Sequence, residues 1–188
     1  MKTTLTAVLF LLFATGASAQ QEVQLSRQER KAIRQEQKKQ EEAMLAHNTS
    51  AALQAGQFVL KADQLRNRTG LTVNVNPTIN FIAVEGKDAY VQVASSSGVG
   101  LNGLGGVTLK GKITSMDISK SDKNGFYSIS MNTMGNAGHL TIAMNVNRTG
   151  EIASATVMTN YGGRIEMNGE LVPWTGTGKT IYKGQERY

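Results

Sequence analysis

Residues 127–146 read YSISMNTMGNAGHLTIAMNV, and the fold class turns on how this stretch is read. Leu140, Ile142, Met144 and Val146 fall on one parity, with Thr141, Ala143 and Asn145 on the other. Tyr127, Ile129 and Met131 repeat the alternation against Ser128, Ser130 and Asn132. In an extended chain a period of two sends alternate side chains to opposite faces, so each run predicts a strand with one apolar and one wet face. Gly135-Asn136-Ala137-Gly138 between them has turn chemistry, so the two runs predict an antiparallel hairpin.

The same texture extends in both directions. Strand patterns occupy 58–62, 71–75, 79–84, 89–94, 107–118, 152–158, 165–172 and 180–182. Turn signals separate most of them, including Glu85-Gly86-Lys87-Asp88, Asp122-Lys123-Asn124-Gly125, Arg148-Thr149-Gly150 and Tyr161-Gly162-Gly163. In the run from Val107, Val107, Leu109 and Ile113 share a parity, but Met116 and Ile118 fall on the other. One inserted residue near Thr114-Ser115 explains the flip, which predicts either a β-bulge or a strand that bends from one sheet edge to another, devices that a closing sheet uses. The expected fold is mostly β: an antiparallel meander forming a curved sheet, barrel-like or a two-layer sandwich, preceded by a charged N-terminal α-helix. Parity does not choose between barrel and sandwich.

The N-terminus reads as an export signal. Met1-Lys2 precedes an apolar run from Leu5 to Ala14 and a small-residue site ending at Ala19. That run is short against the roughly 20 residues of a membrane span, so a cleaved leader of residues 1–19 is the expectation, with no transmembrane segment after cleavage. The chain has no cysteine, which removes lipid attachment at a cysteine and suits a bacterial periplasm or exterior better than a disulfide-rich eukaryotic secretory route. The expected localisation is periplasmic or secreted. The formal charge of +6 falls to +5 when Lys2 leaves with the leader.

Residues 20–49 form a charged arm, followed by a single β-rich domain over residues 50–188. Within the arm, Ser26-Arg27-Gln28-Glu29 has the S-x-x-E form of a capping box, so a helix is expected to start near Ser26. Arg27, Arg30, Lys31, Arg34, Lys38 and Lys39 are interleaved with Glu22, Glu29, Glu36, Glu41 and Glu42. Mixed charge of this kind marks a solvated face, not a phosphate-tracking basic tail, so no nucleic-acid partner is expected.

Two glycine motifs resemble nucleotide loops and fail on context. In LVPWTGTGKTIYKG, residues 171–184, Gly178-Lys179-Thr180 supplies the end of a P-loop, but Pro173 stands where the first glycine belongs and a strand pattern follows. Gly98-Val99-Gly100-Leu101-Asn102-Gly103 matches G-x-G-x-x-G, yet another strand pattern stands where a helix is needed. Gly98, Gly100 and Gly103 read first as a long hairpin loop and second as a ligand-contact loop, and Trp174 reads first as a packing anchor that seals one end of the core and second as an aromatic ligand contact.

Catalytic chemistry has little to work with. His47 and His139 lie in different segments, and Asp63, Asp88, Asp117 and Asp122 have no histidine at ligand spacing. Glu166 and Glu170 share a parity opposite Ile165, Met167 and Leu171, which reads as a wet face. No catalytic, cofactor-binding or metal-ligating residue is assigned, and no cofactor is expected.

Several separated blocks carry a family likeness: FVLKADQL, VQVASSSGVGLNGLGGVTLKGKI, ATVMTNYGGRIEMNGELVPW and the closing IYKG. From about Gln57 to Gly184 the chain resembles the exported bacterial domain-of-unknown-function family 4251. The resemblance implies a Gram-negative, exported protein with a charged helical stretch ahead of a β-rich region, and it implies no activity. The functional expectation is a non-catalytic domain in binding or envelope-associated interaction, with an envelope protein, a glycan or a small apolar ligand as partner. Two alternatives stand beside it: a small hydrophobic-ligand carrier with a cavity inside the sheet, and a carboxylate-based hydrolase.

Overall fold

The structure is a computed structural model that describes residues 26–95, 107–135 and 138–174. The chain divides into two compact units, Met1–Glu36 and Gln37–Tyr188. Helix α1, Arg27–Ala55, begins in the first and ends in the second. Its start is the expected capping box. The Glu29 N–H donates to Ser26 Oγ at 3.3 Å, and the Ser26 N–H donates to Glu29 Oε2 at 2.7 Å. The backbone and side chain of Ser26 together hold the Glu29 carboxyl below its ordinary range.

In the second unit the described residues form nine strands. These are β1 (Gln57–Asn67), β2 (Thr72–Asn74), β3 (Phe81–Glu85), β4 (Asp88–Val93) and β5 (Val107–Lys120). β6 (Tyr127–Gly135), β7 (Gly138–Val146), β8 (Ala153–Thr159) and β9 (Arg164–Pro173) complete the set. The expected strand at 180–182 lies outside the described residues. Each strand from β3 to β9 pairs antiparallel with the next, and β1 pairs with both β3 and β9, so eight strands close into a barrel. β2 lies outside the ring, paired to the second half of β1 where β3 has not yet begun. The open choice between barrel and sandwich is thereby decided by one pairing, β1 with β9.

Two bulges let the sheet bend far enough to close. In β5 the register jumps from Ile113 opposite Thr133 to Ser115 opposite Asn132, which places the bulge at Thr114, as the parity flip predicts. In β1 it jumps from Ala62 opposite Gly169 to Gln64 opposite Asn168, leaving Asp63 as the extra residue. Gly169 stands opposite the β1 bend, and the paired glycines Gly111 and Gly135 precede the β5 one. A Cβ on Gly135 would run into the carbonyl oxygen of Lys110, and one on Gly169 into that of Lys61. The neighbouring backbone crosses too closely there for any side chain.

The interior is filled by the parity that the sequence marks as apolar. Phe58, Leu60, Leu65, Ile82, Ile129, Met131, Ile142, Met144, Ile165 and Met167 are all fully buried. They pack into one cluster. Removing each such side chain from water is worth about 1.5–3 kcal/mol. Ser128, Ser130, Ala143 and Asn145 point outward and are exposed, the reverse of a membrane barrel, whose outer band is apolar. Among the described residues no helix is long and apolar enough to cross a membrane.

One sector departs from simple alternation. β3 and β4 are buried on both faces, because Val59, Phe81, Ala83 and Tyr90 form a second apolar cluster on the outer wall. Trp174 packs, as expected of a lone tryptophan beside a strand end, but against this outer cluster with Val172 instead of sealing the interior. Asn80, fully buried beside that sector, is satisfied: its Nδ2 donates to the carbonyls of Asn76 and Ala94, and its Oδ1 accepts from the Ala94 N–H at 2.7 Å.

Alternating strand direction sorts the connections to two ends. The start of β1, the β3–β4, β5–β6 and β7–β8 turns and the end of β9 share one end, where the last turns of α1 dock through Thr49, Ala52 and Leu53. Gly56 follows the helix, and its carbonyl accepts from the Gly86 N–H in the β3–β4 turn at 2.9 Å. The β1–β2 turn, Val93 and Val107, and the β6–β7 and β8–β9 turns share the other end.

Candidate binding site

The sequence-derived contact candidates separate in space. Gly98, Gly100 and Gly103 lie outside the described residues, and their anchors, Val93 and Val107, pair with each other at the end away from the helix. Trp174 stands at the helix end, where its N–H donates to the Gln57 carbonyl at 3.1 Å.

The two histidines are also divided, with His47 exposed on α1 and His139 beside the far-end β6–β7 turn. The paired glutamates are neutralised on the outer wall. Glu170 meets Lys61 Nζ at 3.1 Å, and Glu166 meets Arg164 Nη2 at 2.8 Å and Arg66 Nη1 at 3.7 Å. Among the described residues no group of three His, Asp or Glu side chains is placed to hold a metal ion.

A groove of about 400 Å³ opens at the helix end, lined by Ser50, Leu53 and Gln54 from α1 and by Met116, Ile118, Lys120 and Tyr127 from the β5–β6 hairpin. The hairpin reaches it because β5 is long. Its pairing with β4 ends where Lys112 meets Asp88, while its pairing with β6 continues to Lys120 opposite Tyr127. Beyond Ile113, whose N–H donates to the Lys87 carbonyl, one edge of β5 has no partner strand among the described residues.

The hydrogen-bond phase shows which groups face that edge. The Ser121 N–H donates to the Phe126 carbonyl at 2.8 Å, so that opposed pair is hydrogen-bonded. Alternation then makes Lys120–Tyr127, Ile118–Ile129 and Met116–Met131 non-hydrogen-bonded pairs. The N–H and C=O of Met116, Ile118 and Lys120 therefore point away from β6. Their side chains line the groove, so one set of three residues offers both ladder groups and an apolar floor. Lys120 Nζ lies 5.3 Å from the Tyr127 ring centroid, a cation–π contact that holds the amine at the rim.

Sequence reasoning assigned Met116 and Ile118 to a strand but not to a site. The available signal was the parity flip after Thr114, because the same bulge that returns these side chains to the inner face turns their backbone groups toward the open edge.

The profile of the family described as a domain of unknown function (DUF4251) matches residues 38–171. The chain belongs to the DUF4251 family. A crystal structure of a DUF4251 family protein from Bacteroides eggerthii is similar, with 30% sequence identity and a TM-score of 0.60 over 70% of this chain and 89% of that one. No curated protein matches. The DUF4251 match contains the second half of α1 and every strand up to Leu171, so it includes the groove, whereas Trp174 lies beyond it.

Proposed function

We propose that this DUF4251 protein is an exported, non-catalytic binding module of the bacterial envelope, and that it takes up an extended polypeptide segment by strand addition along β5. The observation that carries the reading is the coincidence at Met116, Ile118 and Lys120 of backbone groups that face no strand among the described residues with side chains lining a groove. Strand addition draws affinity from main-chain hydrogen bonds and selectivity from pockets for alternate side chains. Leu53, Met116 and Ile118 supply an apolar pocket, and Lys120 favours a partner with an acidic residue beside its apolar ones. Export rests on the leader-like residues 1–19.

The alternatives draw less support. An eight-stranded barrel has an interior just wide enough for side chains or one small ligand, and here buried apolar side chains from seven of the ring strands, with the partly buried Leu109, Ile113 and Met116 of β5 packed against them, occupy it. For a hydrolase, Glu166 and Glu170 are engaged by surface cations instead of facing each other across a cleft.

The test is native mass spectrometry of the protein isolated from its own envelope, paired with hydrogen exchange over β5 and with the variant Ile118→Pro. Because the Ile118 N–H faces the open edge, proline there removes an edge donor without cutting the β5–β6 ladder. The expected result is a co-isolated polypeptide that slows exchange at Met116, Ile118 and Lys120 and is lost with Ile118→Pro. Isolation of the bare protein alone, or a partner retained undiminished by the variant, rejects the reading.

A further inference from the structure

The end of the barrel away from α1 carries a second cleft of different chemistry, about 200 Å³ in volume and lined by Arg66, Asn67, Arg68, Gly70, Arg164 and Glu166. The closure of the barrel creates it. The β1–β9 register sets Arg66 opposite Glu166, and the β8–β9 hairpin sets Arg164 opposite Met158. One carboxylate then engages two guanidinium groups, Oε1 toward Arg164 and Oε2 toward Arg66. Two like charges are thus held close together by a single counter-charge.

The third arginine comes from a turn with its own internal bracing. Asn67 Oδ1 accepts from the Thr69 N–H at 3.0 Å, from Thr69 Oγ1 at 2.7 Å and from the Leu71 N–H at 2.9 Å. Such an Asx arrangement fixes the backbone that presents Arg68. Arg68 has no ion pair among the described residues, so three guanidinium groups against one carboxylate leave the cleft with a local charge of about +2.

The geometry points to a binding site for a dianionic oxyanion, a phosphate monoester group, in this cleft. Guanidinium forks match the oxygens of carboxylates and phosphates alike, but two uncompensated charges favour a dianion over a single carboxylate. The monoester could belong to a soluble metabolite or to the headgroup of a lipid; the recognising chemistry is the same. The site lies at the opposite end of the barrel from the β5 edge and stands independently of the strand-addition reading.

The test titrates the purified protein with inorganic phosphate, following the side-chain Nε–H resonances of Arg66, Arg68 and Arg164, against sodium chloride at matched ionic strength. A parallel arm measures co-sedimentation with phosphatidylcholine vesicles with and without added phosphatidic acid. The expected result is saturable movement of all three resonances with phosphate and not with chloride. Arg68→Gln, which leaves Glu166 with both its partners, should weaken this response by about tenfold. Arg68→Lys should fall between the two, keeping the charge and losing the fork. Ile118→Pro should leave the response unchanged.

Saturable binding of free phosphate without vesicle retention assigns a soluble source; retention that requires phosphatidic acid and weakens in Arg68→Gln assigns a lipid one. Both support the site. Identical movement with chloride, an unsaturated response, or undiminished binding by Arg68→Gln in both arms overturns it.

Discussion

Thr49 of the helix and Gly150 of the β7–β8 turn are in direct contact: a Cβ on Gly150 would come within 2.7 Å of Thr49 Oγ1 and 2.5 Å of the Leu171 carbonyl oxygen. Gly150 has φ +82°, and its carbonyl accepts the Leu171 N–H at 2.7 Å. Helix, turn and last strand therefore meet at one residue that has no side chain to spare. Gly150→Ala should destabilise the fold by about 2–3 kcal/mol, combining left-handed strain with the clash. Gly162 is the internal control, with φ +81° and nothing within 4 Å of an added Cβ. Gly162→Ala should cost only about 1 kcal/mol. Urea unfolding of the two variants side by side checks the difference; equal losses would show that the Thr49 contact is slack.

The interior behaves as a filled core. Ile142 and Met167 are fully buried within a single cluster. Ile142→Ala and Met167→Ala should each cost about 2–5 kcal/mol, whereas Met167→Leu should cost less than about 1.5 kcal/mol because it nearly conserves volume. Denaturant midpoints at constant m-value provide the measurement. Alanine losses well under about 2 kcal/mol at both sites would revive the carrier with an internal cavity.

The open edge of β5 separates backbone roles residue by residue. Ile118→Pro removes an N–H that faces away from β6 and should change stability by no more than about 1 kcal/mol beyond the loss of its half-exposed side chain. Ser119→Pro removes an N–H inside the β5–β6 ladder and should cost about 3 kcal/mol or more. Comparable melting temperatures for the two would contradict the hydrogen-bond phase deduced from the Ser121–Phe126 pair.

The start of α1 is pH-sensitive in a defined direction. The Glu29 carboxyl is held below its ordinary value of 4.5 by the Ser26 backbone and side-chain hydrogen bonds. Its support of the first turn is therefore fully present above that ordinary value and is lost as pH falls through the lowered one. Ser26→Ala should remove about 1 kcal/mol of local helix stability and return the Glu29 titration toward the ordinary range. A Glu29 carboxyl shift followed by NMR from neutral to acid pH tests both statements.

Much of the fold was legible because its determinants are local. Alternation in residues 127–146 specifies which side chain faces inward whatever lies on the other side, and the parity flip at Thr114 announces a bulge without reference to its partner strand. The S-x-x-E spacing names a helix start because both partners lie within one turn. The doubly buried sector at Val59, Phe81, Ala83 and Tyr90 was less legible, since a strand buried on two faces has no alternation to display.

The sequence by itself determined the strands, their inward faces, the β5 bulge and the cap of α1, all set by contacts between residues close along the chain. The tertiary structure decided closure, because β1 meets β9 only through a register that joins residues as far apart in sequence as Phe58 and Pro173. It also decided both candidate sites. Met116 faces Leu53 of the helix, and Arg66 faces Arg164 across one carboxylate, only because the ring has closed. Long-range proximity of this kind leaves no periodic trace in the sequence.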